Sequence, residues 1–295
     1  MAGWALDPIV SGIRDAVLKA DKIRADDTPV PVLDPGRGKT ATGRLWVYAA
    51  DDRASGSTAP RATWYPFTPD RTAAHPTSLL AGFRGFLQTD ADAGYDGLYR
   101  SGVTEVACWA HFRREVFDLH ERSPMPLTTD ILERTGALYA VEAEVGGQPP
   151  DGRCRARQEK SRPLVEALRE VFDGGLRRLS SRSDMAKAIA YGRKRWPALS
   201  RFLDNGRLEI DNNIAERALR GVAVGRRNWL FAGSRFGGER AAAVYTVIQT
   251  CKGNGVDPEV YITDVIAKVA GDWPASRCDE LMPWNWSSEP VRLAA

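Results

Sequence analysis

The order of strand and helix patterns over residues 23–109 is the feature that most restricts the fold. Apolar and polar residues alternate in the segments IRADDTPVPVL, RLWVYAA and ATWYPFT, which predicts three consecutive antiparallel strands. A short helix, HPTSLLAGF, then leads to a fourth strand, RGFLQTD, and a small helix, GYDGLY, leads to a fifth, VTEVACW. A strand reached through a helix is well placed to lie parallel beside the first strand, because crossover connections return to the same sheet with a fixed hand.

Helical patterns dominate the rest of the chain. Residues 6–22 have helical spacing of apolar residues, and long helical segments follow from His111 to Trp196. Near the end, Asp257 and Pro258 form a favourable N-cap and first-turn pair for a further helix. The sequence therefore predicts an α/β fold in which a sheet is followed by an α-helical block.

Positive charge is concentrated in one part of the chain. The net charge is only +3, yet residues 153–240 contain 21 Lys and Arg against 10 Asp and Glu. Such segregation is typical of a surface that binds a polyanion, and it is equally typical of a solvated helical surface. Charge alone does not choose between these two interpretations.

Cysteine content and hydropathy bear on the cellular compartment. The four cysteines are far apart and form no CxxC pair, which predicts reduced thiols rather than disulfides or a complete zinc finger. No segment approaches the roughly 20 apolar residues that span a bilayer, and the first residues lack the build of a signal peptide. We therefore expect a cytoplasmic chain without a membrane partner.

Acidic residues lie on two strands that we expect to be neighbours. Asp26 or Asp27 is on the first strand, and Asp90 ends the fourth. Two carboxylates within a few ångströms of each other repel unless a cation lies between them. Because oxygen ligands suit Mg²⁺, this arrangement predicts a divalent metal site.

The stretch DNNIAERALR can supply a third carboxylate. We expect Asp211 to cap a helix at this point. Glu216 then stands on one face of the helix, with Asn212 four residues before it and Arg220 four residues after it. The alternative is an exposed Glu–Arg ion pair beside a simple cap, which is the commoner situation on an isolated helix.

Six long blocks of sequence occur together in one order: ADDTPVPVLDPGRGKTATGRLWVY, LQTDADAGYDGLY, VACWAHFRRE, RLEIDNNIAERALRGVAVGRRNWLFAGS, GGERAAAVYTVIQTCKGNGVDPEVYI and DELMPWN. Together they resemble the catalytic and C-terminal parts of the large transposase of the insertion sequence 66 family, from about Ala25 to Trp286. The resemblance implies a DDE transposase. It further implies an RNase H-like mixed sheet with an inserted α-helical block and a helical C-terminal extension, which agrees with the strand order predicted above.

The resemblance implies three catalytic acids that bind metal. The first acid of the family's Asp-Glu-Thr motif falls on Asp26, with Asp27 in the glutamate position. The second acid falls on Asp90, and the third, in Asn-Asn-x-x-Glu-Arg, falls on Glu216. Asp92 stands where the family often has tyrosine, so it competes weakly with Asp90. Asp27 competes with Asp26, although alternation along a strand lets only one of the two face the metals.

The segment CWAHFRR fits a Cys/Asp-x-x-His signature found after the second acid in many DDE transposases. As zinc ligands, Cys108 and His111 form half a site, and the sequence offers no evident second half. We interpret Cys108 as a packed strand residue and His111 as a contact near the scissile phosphate, with a core histidine as the alternative. Arg113 and Arg114 follow as predicted DNA contacts.

The implied reaction is metal-dependent cleavage at the 3′ ends of an insertion element, followed by strand transfer to target DNA. In it, Asp26, Asp90 and Glu216 hold two Mg²⁺ ions, for which Mn²⁺ is a substitute, and no covalent protein–DNA intermediate is needed. The resemblance also implies a homo-oligomer acting on paired ends. The further predicted phosphate contacts are Arg217, Arg220, Arg226 and Arg227.

This interpretation divides the chain into five segments. They are an N-terminal helix left from a longer upstream region (1–22), the first part of the catalytic core (23–120), the α-helical insertion (121–207), the end of the core with the third acid (208–240) and the C-terminal helical extension (241–295). Two alternatives stay open: a truncated relic that binds DNA without catalysis, and a nuclease of the same fold class.

Overall fold

A computed structural model describes residues 5–34, 38–90, 93–226, 228 and 231–287. These residues contain a six-stranded mixed sheet and, on its two faces and beyond one edge, a series of helices. The strands are β1 (Lys22–Leu33), β2 (Thr40–Ala50), β3 (Ala62–Trp64), β4 (Phe67–Thr68), β5 (Phe86–Thr89) and β6 (Thr104–Ala107).

The helices fall into three groups along the chain. Those before and between the strands are α1 (Asp7–Lys19), α2 (Ala74–Leu79) and α3 (Asp96–Arg100). Those of the predicted helical block are α4 (Trp109–Arg122), α5 (Pro126–Val145), α6 (Pro150–Ala156), α7 (Arg162–Arg178), α8 (Asp184–Lys194) and α9 (Trp196–Ser200), with a π-helical turn at Arg157–Ser161. The last group is α10 (Asn213–Gly225), α11 (Arg235–Gly253) and α12 (Pro258–Ala270). Short 3₁₀ turns occur at Arg53–Ser55, Ala93–Tyr95, Arg201–Leu203 and Ala275–Leu281.

The strand order in the sheet is β3-β2-β1-β5-β6, with β4 also paired to β2. The first strands form an antiparallel meander, and β5 and β6 then join the other side of β1 in parallel. Lys22 lies opposite Phe86 and Arg24 opposite Gln88 in the β1–β5 pair. The predicted parallel neighbour of the first strand is therefore confirmed.

The predicted third strand is interrupted, which the sequence pattern did not reveal. Residues 62–68 form β3 and β4 with Tyr65 and Pro66 between them. Pro66 has no N–H to donate to a ladder, and the Tyr65 N–H donates instead to the Thr246 hydroxyl of α11 at 2.9 Å. The break joins this edge of the sheet to the C-terminal helices.

Alternation along β1 and β2 separates two apolar cores. Ile23 and Ala25 of β1 face a core that α1, α11 and α12 complete, as do Trp46 and Tyr48 of β2. Val30 of β1 faces the opposite core, which contains Ala215, Leu219 and Val222 of α10. Because side chains alternate, the even-numbered residues of β1 lie on the α10 face. Asp26 therefore shares a face with α10, and Asp27 does not.

The helical block has a core of its own, which buried ion pairs supplement. Trp109, Phe112, Phe172 and Trp196 pack together at its centre. The carboxylate of Glu142 on α5 accepts hydrogen bonds from two fully buried guanidinium groups. These belong to Arg153 and Arg157, which lie in the basic segment.

Several other basic residues of residues 153–240 are also paired. Arg193 binds Asp173 at 2.5 Å, and Arg195 binds Glu105 of β6. Much of the charge excess in this segment is therefore neutralised locally, and a smaller set of arginines is free to contact a polyanion. No helix in the described parts of the chain is both long and apolar enough to cross a membrane.

Candidate active site

Three carboxylates from distant segments converge at the edge where β1 and β5 run side by side. Asp26 is on β1, Asp90 directly follows β5, and Glu216 is in the first turn of α10. Continuing the parallel register from Arg24 and Gln88 by two residues brings Asp26 level with Asp90. The structure thus brings together the three acids proposed from the sequence.

The pKa of Asp26 reflects its burial and the closeness of the other acids. Burial raises the pKa of Asp26 to about 7, and the neighbouring Asp90 charge acts in the same direction, with a weaker effect from Glu216. The N–H of Asp27 donates to Asp26 Oδ1 at 2.7 Å and partly opposes this shift. Among the described residues, Asp26 has no cationic side chain within ion-pair distance.

Asp27, the alternative first acid, is satisfied on the other face of the sheet. Its side chain is only 4% exposed and forms ion pairs at 2.9 Å with both Arg44 and Arg71. A carboxylate that two guanidinium groups neutralise has little need of a metal ion. This geometry favours Asp26 as the member of the pair that faces Asp90 and Glu216.

Asp90 is half-buried and contacts two other elements. The side-chain N–H of Asn212 donates to Asp90 Oδ1 at 3.3 Å, and His111 Nδ1 lies 3.9 Å from Asp90 Oδ2. The weak competitor Asp92 lies outside the described residues. Among the described residues, Asp90 is therefore the acid that directly follows β5.

Asn212 has a larger part in this arrangement than its position on a helix face suggested. Its side chain is fully buried, and Nδ2 also donates to the Ala25 carbonyl at 2.9 Å. One amide therefore ties β1, Asp90 and the start of α10 together. Within the described residues, Asn212 Oδ1 is buried without a hydrogen-bond partner, so an acceptor is available beside the acids.

The prediction that Asp211 caps the helix is wrong. The N-cap of α10 is Asn212, and the Asp211 carboxylate instead accepts the backbone N–H of Asn213 at 3.1 Å and its side-chain N–H at 2.6 Å. Burial raises the pKa of Asp211. Asp211 is thus a fourth, partly buried acid close to Glu216. The sequence pattern resembled that of a helix cap and did not predict this.

Glu216 also has a different partner from the one expected. Arg114 of α4 approaches Glu216 Oε2 at 3.7 Å, whereas no ion pair between Glu216 and Arg220 forms within the described chain. The Arg114 side chain is 65% exposed, so this contact is weak and readily exchanged. The third acid is accessible to a ligand that competes for it.

Cys108 and His111 flank the acids without forming a zinc half-site. The Cys108 sulfur is buried, accepts the Asn212 N–H at 3.2 Å, and lies within 4.8 Å of oxygens of both Asp90 and Glu216. Burial raises the pKa of the Cys108 thiol well above its ordinary value. Cys108 is packed, as predicted, but it is the N-cap of α4 rather than a strand residue. His111 is one-third exposed, which excludes the core-histidine alternative.

The oxygen donors of the site suit a hard divalent cation, and they are not equally close to one another. Asp26 lies outside the group of ligand atoms that are mutually within 4.8 Å, which contains Asp90, Cys108 and Glu216. Sulfur is a soft ligand that suits such an ion poorly, whereas clustered carboxylate oxygens suit it well. Asp90 and Glu216 therefore already have oxygens within reach of one ion, and Asp26, whose pKa the Asp90 charge helps to raise, is an acid close to them.

The predicted DNA-binding arginines are dispersed around the acids. Arg113 and Arg114 line a cavity between α4 and α5, and Arg217 lines a second cavity of about 240 Å³ together with Arg61 and Lys252. Arg220 is exposed. Arg226 is less free than expected because it donates to the Pro29 carbonyl. Arg227 lies outside the described residues.

Comparison with known proteins gives consistent matches over the whole chain. The model of a family described as Transposase IS66 family matches residues 1–240, and that of an IS66 C-terminal element matches residues 246–284. No solved structure matches the chain.

The curated relatives come from Sinorhizobium fredii (strain NBRC 101917 / NGR234). The uncharacterized protein y4qI is 40% identical over 297 residues, which cover 98% of this chain and 55% of that protein. The uncharacterized protein y4hP is 39% identical over 311 residues, covering 99% and 56% respectively. The chain therefore spans little more than half the length of these relatives.

Proposed function

The chain belongs to the IS66 transposase family, and on that premise we propose that it cuts and joins DNA strands at a metal-dependent site formed by Asp26, Asp90 and Glu216. In this proposal it is a DDE transposase of an insertion element. It exposes the 3′ ends of the element and transfers them to target DNA.

One observation carries the proposal: three acids that are 64 and 126 residues apart in sequence converge at one sheet edge, and no buried cation in the described parts of the chain neutralises them. Two buried carboxylates outside the site, Asp27 and Glu142, are each paired with two arginines. A buried carboxylate whose pKa is raised by burial and by neighbouring acids, as that of Asp26 is by Asp90 and Glu216, is typical of a site that binds a cation or performs chemistry.

The side chains of this site have distinct roles in the proposed reaction. Asp26, Asp90 and Glu216 hold the metal ions, for which Mg²⁺ is the first candidate and Mn²⁺ the substitute. When bound, such ions activate the attacking oxygen and stabilise the leaving oxygen of an in-line displacement at phosphorus. Asn212 orients Asp90 through its hydrogen bond, and His111 lies where it can contact the scissile phosphate.

The sheet supports an RNase H-like assignment of the catalytic core. Three antiparallel strands are followed by two parallel strands on the other side of β1, and the helical block separates β6 from α10. We propose that the chain is divided into five segments, with the insertion at 121–207 and the third acid in 208–240. The C-terminal element match begins at residue 246, close to the proposed boundary at 241.

The proposed partner is DNA, both the ends of the element and the target. Arg114 and Arg220 are exposed near the acids, and Arg61, Arg217 and Lys252 share a cavity on the neighbouring side of α10. Cations placed in this way hold a phosphate backbone in register without reading its sequence. We further propose that the protein acts in the cytoplasm as a homo-oligomer on paired ends.

A strand-joining assay tests the proposal. Purified protein and Mg²⁺ are incubated with a pre-cut duplex, whose terminal repeat is taken from the DNA flanking the gene, and with a supercoiled plasmid. We expect joined products from the wild type and none above background from Asp90→Asn, with DNA binding by fluorescence anisotropy unchanged. The matched control is Asp118→Asn, an exposed acid on α4, which joins as the wild type does.

The same assay separates the alternatives. Indiscriminate nicking without joined products favours a nuclease, and binding without any cleavage favours a relic. Joined products from Asp90→Asn at the wild-type rate contradict the proposed site.

A further inference from the structure

A cavity of about 400 Å³ opens between α4 and α5 beside the acidic site. Arg114, which contacts Glu216 at 3.7 Å, and Asn213, the first residue of α10, are both part of its lining. The cavity is therefore next to the third acid, and none of the proposed steps at the metal site uses it.

The lining combines aromatic rings with open space. Phe117 is 41% exposed at the cavity, which is a large exposure for an apolar side chain, and Tyr139 of α5 forms another part of the wall. A Cβ built on Gly136 meets no atom within 4 Å, so the absence of a side chain there leaves the space open. The Tyr139 hydroxyl is buried and has no hydrogen-bond partner in the described chain.

The charge around the cavity indicates the kind of ligand. Arg113 and Arg114 line it from α4, one and two positions after the buried Phe112. Aromatic faces beside guanidinium groups are the combination with which proteins bind unpaired bases of a nucleic acid strand. An apolar segment of a protein partner would gain nothing from two cations placed next to its binding site.

We propose that this cavity takes one unstacked nucleobase of the DNA strand whose phosphate lies at Asp26, Asp90 and Glu216. The inference rests on the proposed function. A base within a duplex is stacked on both faces and cannot enter a side cavity, so the ligand is a base that has left the stack near the cut end. Arg114 then exchanges its weak contact with Glu216 for the phosphate of that nucleotide.

Gly136 offers a variant that closes the cavity with little risk to folding. Gly136 is exposed on α5, and a leucine side chain in its place extends into the open space. Gly136→Ala is the matched control, because it removes the same helix-disfavouring glycine but adds a single methyl group. Both variants are checked for an unchanged circular dichroism spectrum.

The test uses photocrosslinking in EDTA, so that it does not depend on metal or on catalysis. The probe is a forked duplex with one 5-iododeoxyuridine placed in turn at each unpaired position of the 3′ strand; this base crosslinks to aromatic side chains on which it stacks. In the wild type and in Gly136→Ala, we expect one position to crosslink to a peptide containing Phe117 or Tyr139. In Gly136→Leu we expect that crosslink to fall at least tenfold, while anisotropy shows that a blunt duplex binds as before.

Two results would overturn the cavity assignment: a crosslink that persists in Gly136→Leu, or crosslinks that map to other aromatic residues in the wild type. The outcome is separable from that of the strand-joining assay. Strand joining with a crosslink insensitive to Gly136→Leu leaves the transposase proposal standing and removes the base pocket. A crosslink that Gly136→Leu abolishes, in a protein that joins no strands, supports the base pocket and removes the transposase proposal.

Discussion

At the two ends of one face of β1, buried charged residues have opposite surroundings. Lys22, Arg24 and Asp26 are spaced two residues apart and share this face. At one end, Lys22 binds Asp52 at 2.9 Å and Arg24 approaches Glu209 at 3.5 Å. At the other end, Asp26 faces the acids Asp90 and Glu216.

The two ends differ in what neutralises the charge. Burial lowers the pKa of Lys22 to about 8, yet Asp52 favours its charged form. Burial alone would raise the pKa of Glu209, but hydrogen bonds and charge from Arg153, together with Arg24, hold it below its ordinary value. For Asp26, both burial and its acidic neighbours raise the pKa. Lys22 and Arg24 therefore have opposite charges beside them, whereas Asp26 has no cationic partner among the described residues.

The largest expected effect comes from breaking the buried ion pairs next to the satisfied end, where Arg153 binds both Glu209 and Glu142. Glu142→Gln removes the carboxylate that pairs with the fully buried Arg157, whereas Arg153 keeps Glu209 at 2.9 Å. We expect the free energy of unfolding to fall by about 3–5 kcal/mol, because an uncompensated buried cation is costly. Urea unfolding, followed by circular dichroism, measures this loss. A loss below about 1 kcal/mol would show that the buried ion pairs of Glu142 do not stabilise the fold.

At the candidate site, removing a carboxylate is expected to raise the free energy of unfolding rather than to lower it. In metal-free protein at pH 8, Asp26→Asn removes a carboxylate whose ionised form the fold disfavours. We expect a gain of about 1–3 kcal/mol in the free energy of unfolding, since one pKa unit corresponds to about 1.4 kcal/mol and the site is partly open to solvent.

The pH dependence of that gain follows from the direction of the shift. Burial and the neighbouring acids raise the pKa of Asp26 to about 7 from an ordinary value of 3.8, so between these values the folded state binds a proton that the unfolded state releases. The penalty in the wild type is complete above pH 7 and is lost as the pH falls toward 4. Melts of the two proteins at pH 8 and pH 5 should show a smaller difference at pH 5, and a larger one there would refute the assignment.

Added Mg²⁺ should supply the cation that the acidic end lacks. At ten times the dissociation constant, binding to the folded state stabilises it by about 1.4 kcal/mol, which raises Tm by a few degrees. The rise is expected in the wild type and should be lost in Asp90→Asn, with NaCl of equal ionic strength as the control. Equal shifts in both proteins would show that Mg²⁺ binds elsewhere.

The smallest effect is expected from a matched carboxylate two residues from Glu142. Glu144 lies on the same helix and pairs with Lys160, but both side chains are about half exposed. Exposed ion pairs contribute little because solvent screens them. Glu144→Gln should leave Tm within the error of the measurement, and a drop comparable to that of Glu142→Gln would show that burial is not what separates the two carboxylates.

Sequence patterns predicted the strand order, the parallel neighbour of the first strand and the Asp257 N-cap, because alternation and capping are local properties. They failed where a contact came from a distant segment. The break at Pro66 depends on Thr246, and the partner of Glu216 is Arg114 rather than the nearby Arg220.

The sequence by itself determined that acids would recur on β1, after β5 and on α10, and which family the chain resembles. Tertiary structure decided that Asp26 rather than Asp27 faces the other acids, since Arg44 and Arg71 neutralise Asp27. It also decided which arginines are structural, because Arg153 and Arg157 look like surface cations until Glu142 is placed beside them. The physical reason is that the state of a charge depends on burial and on the nearest opposite charge, and both are set by residues far away along the chain.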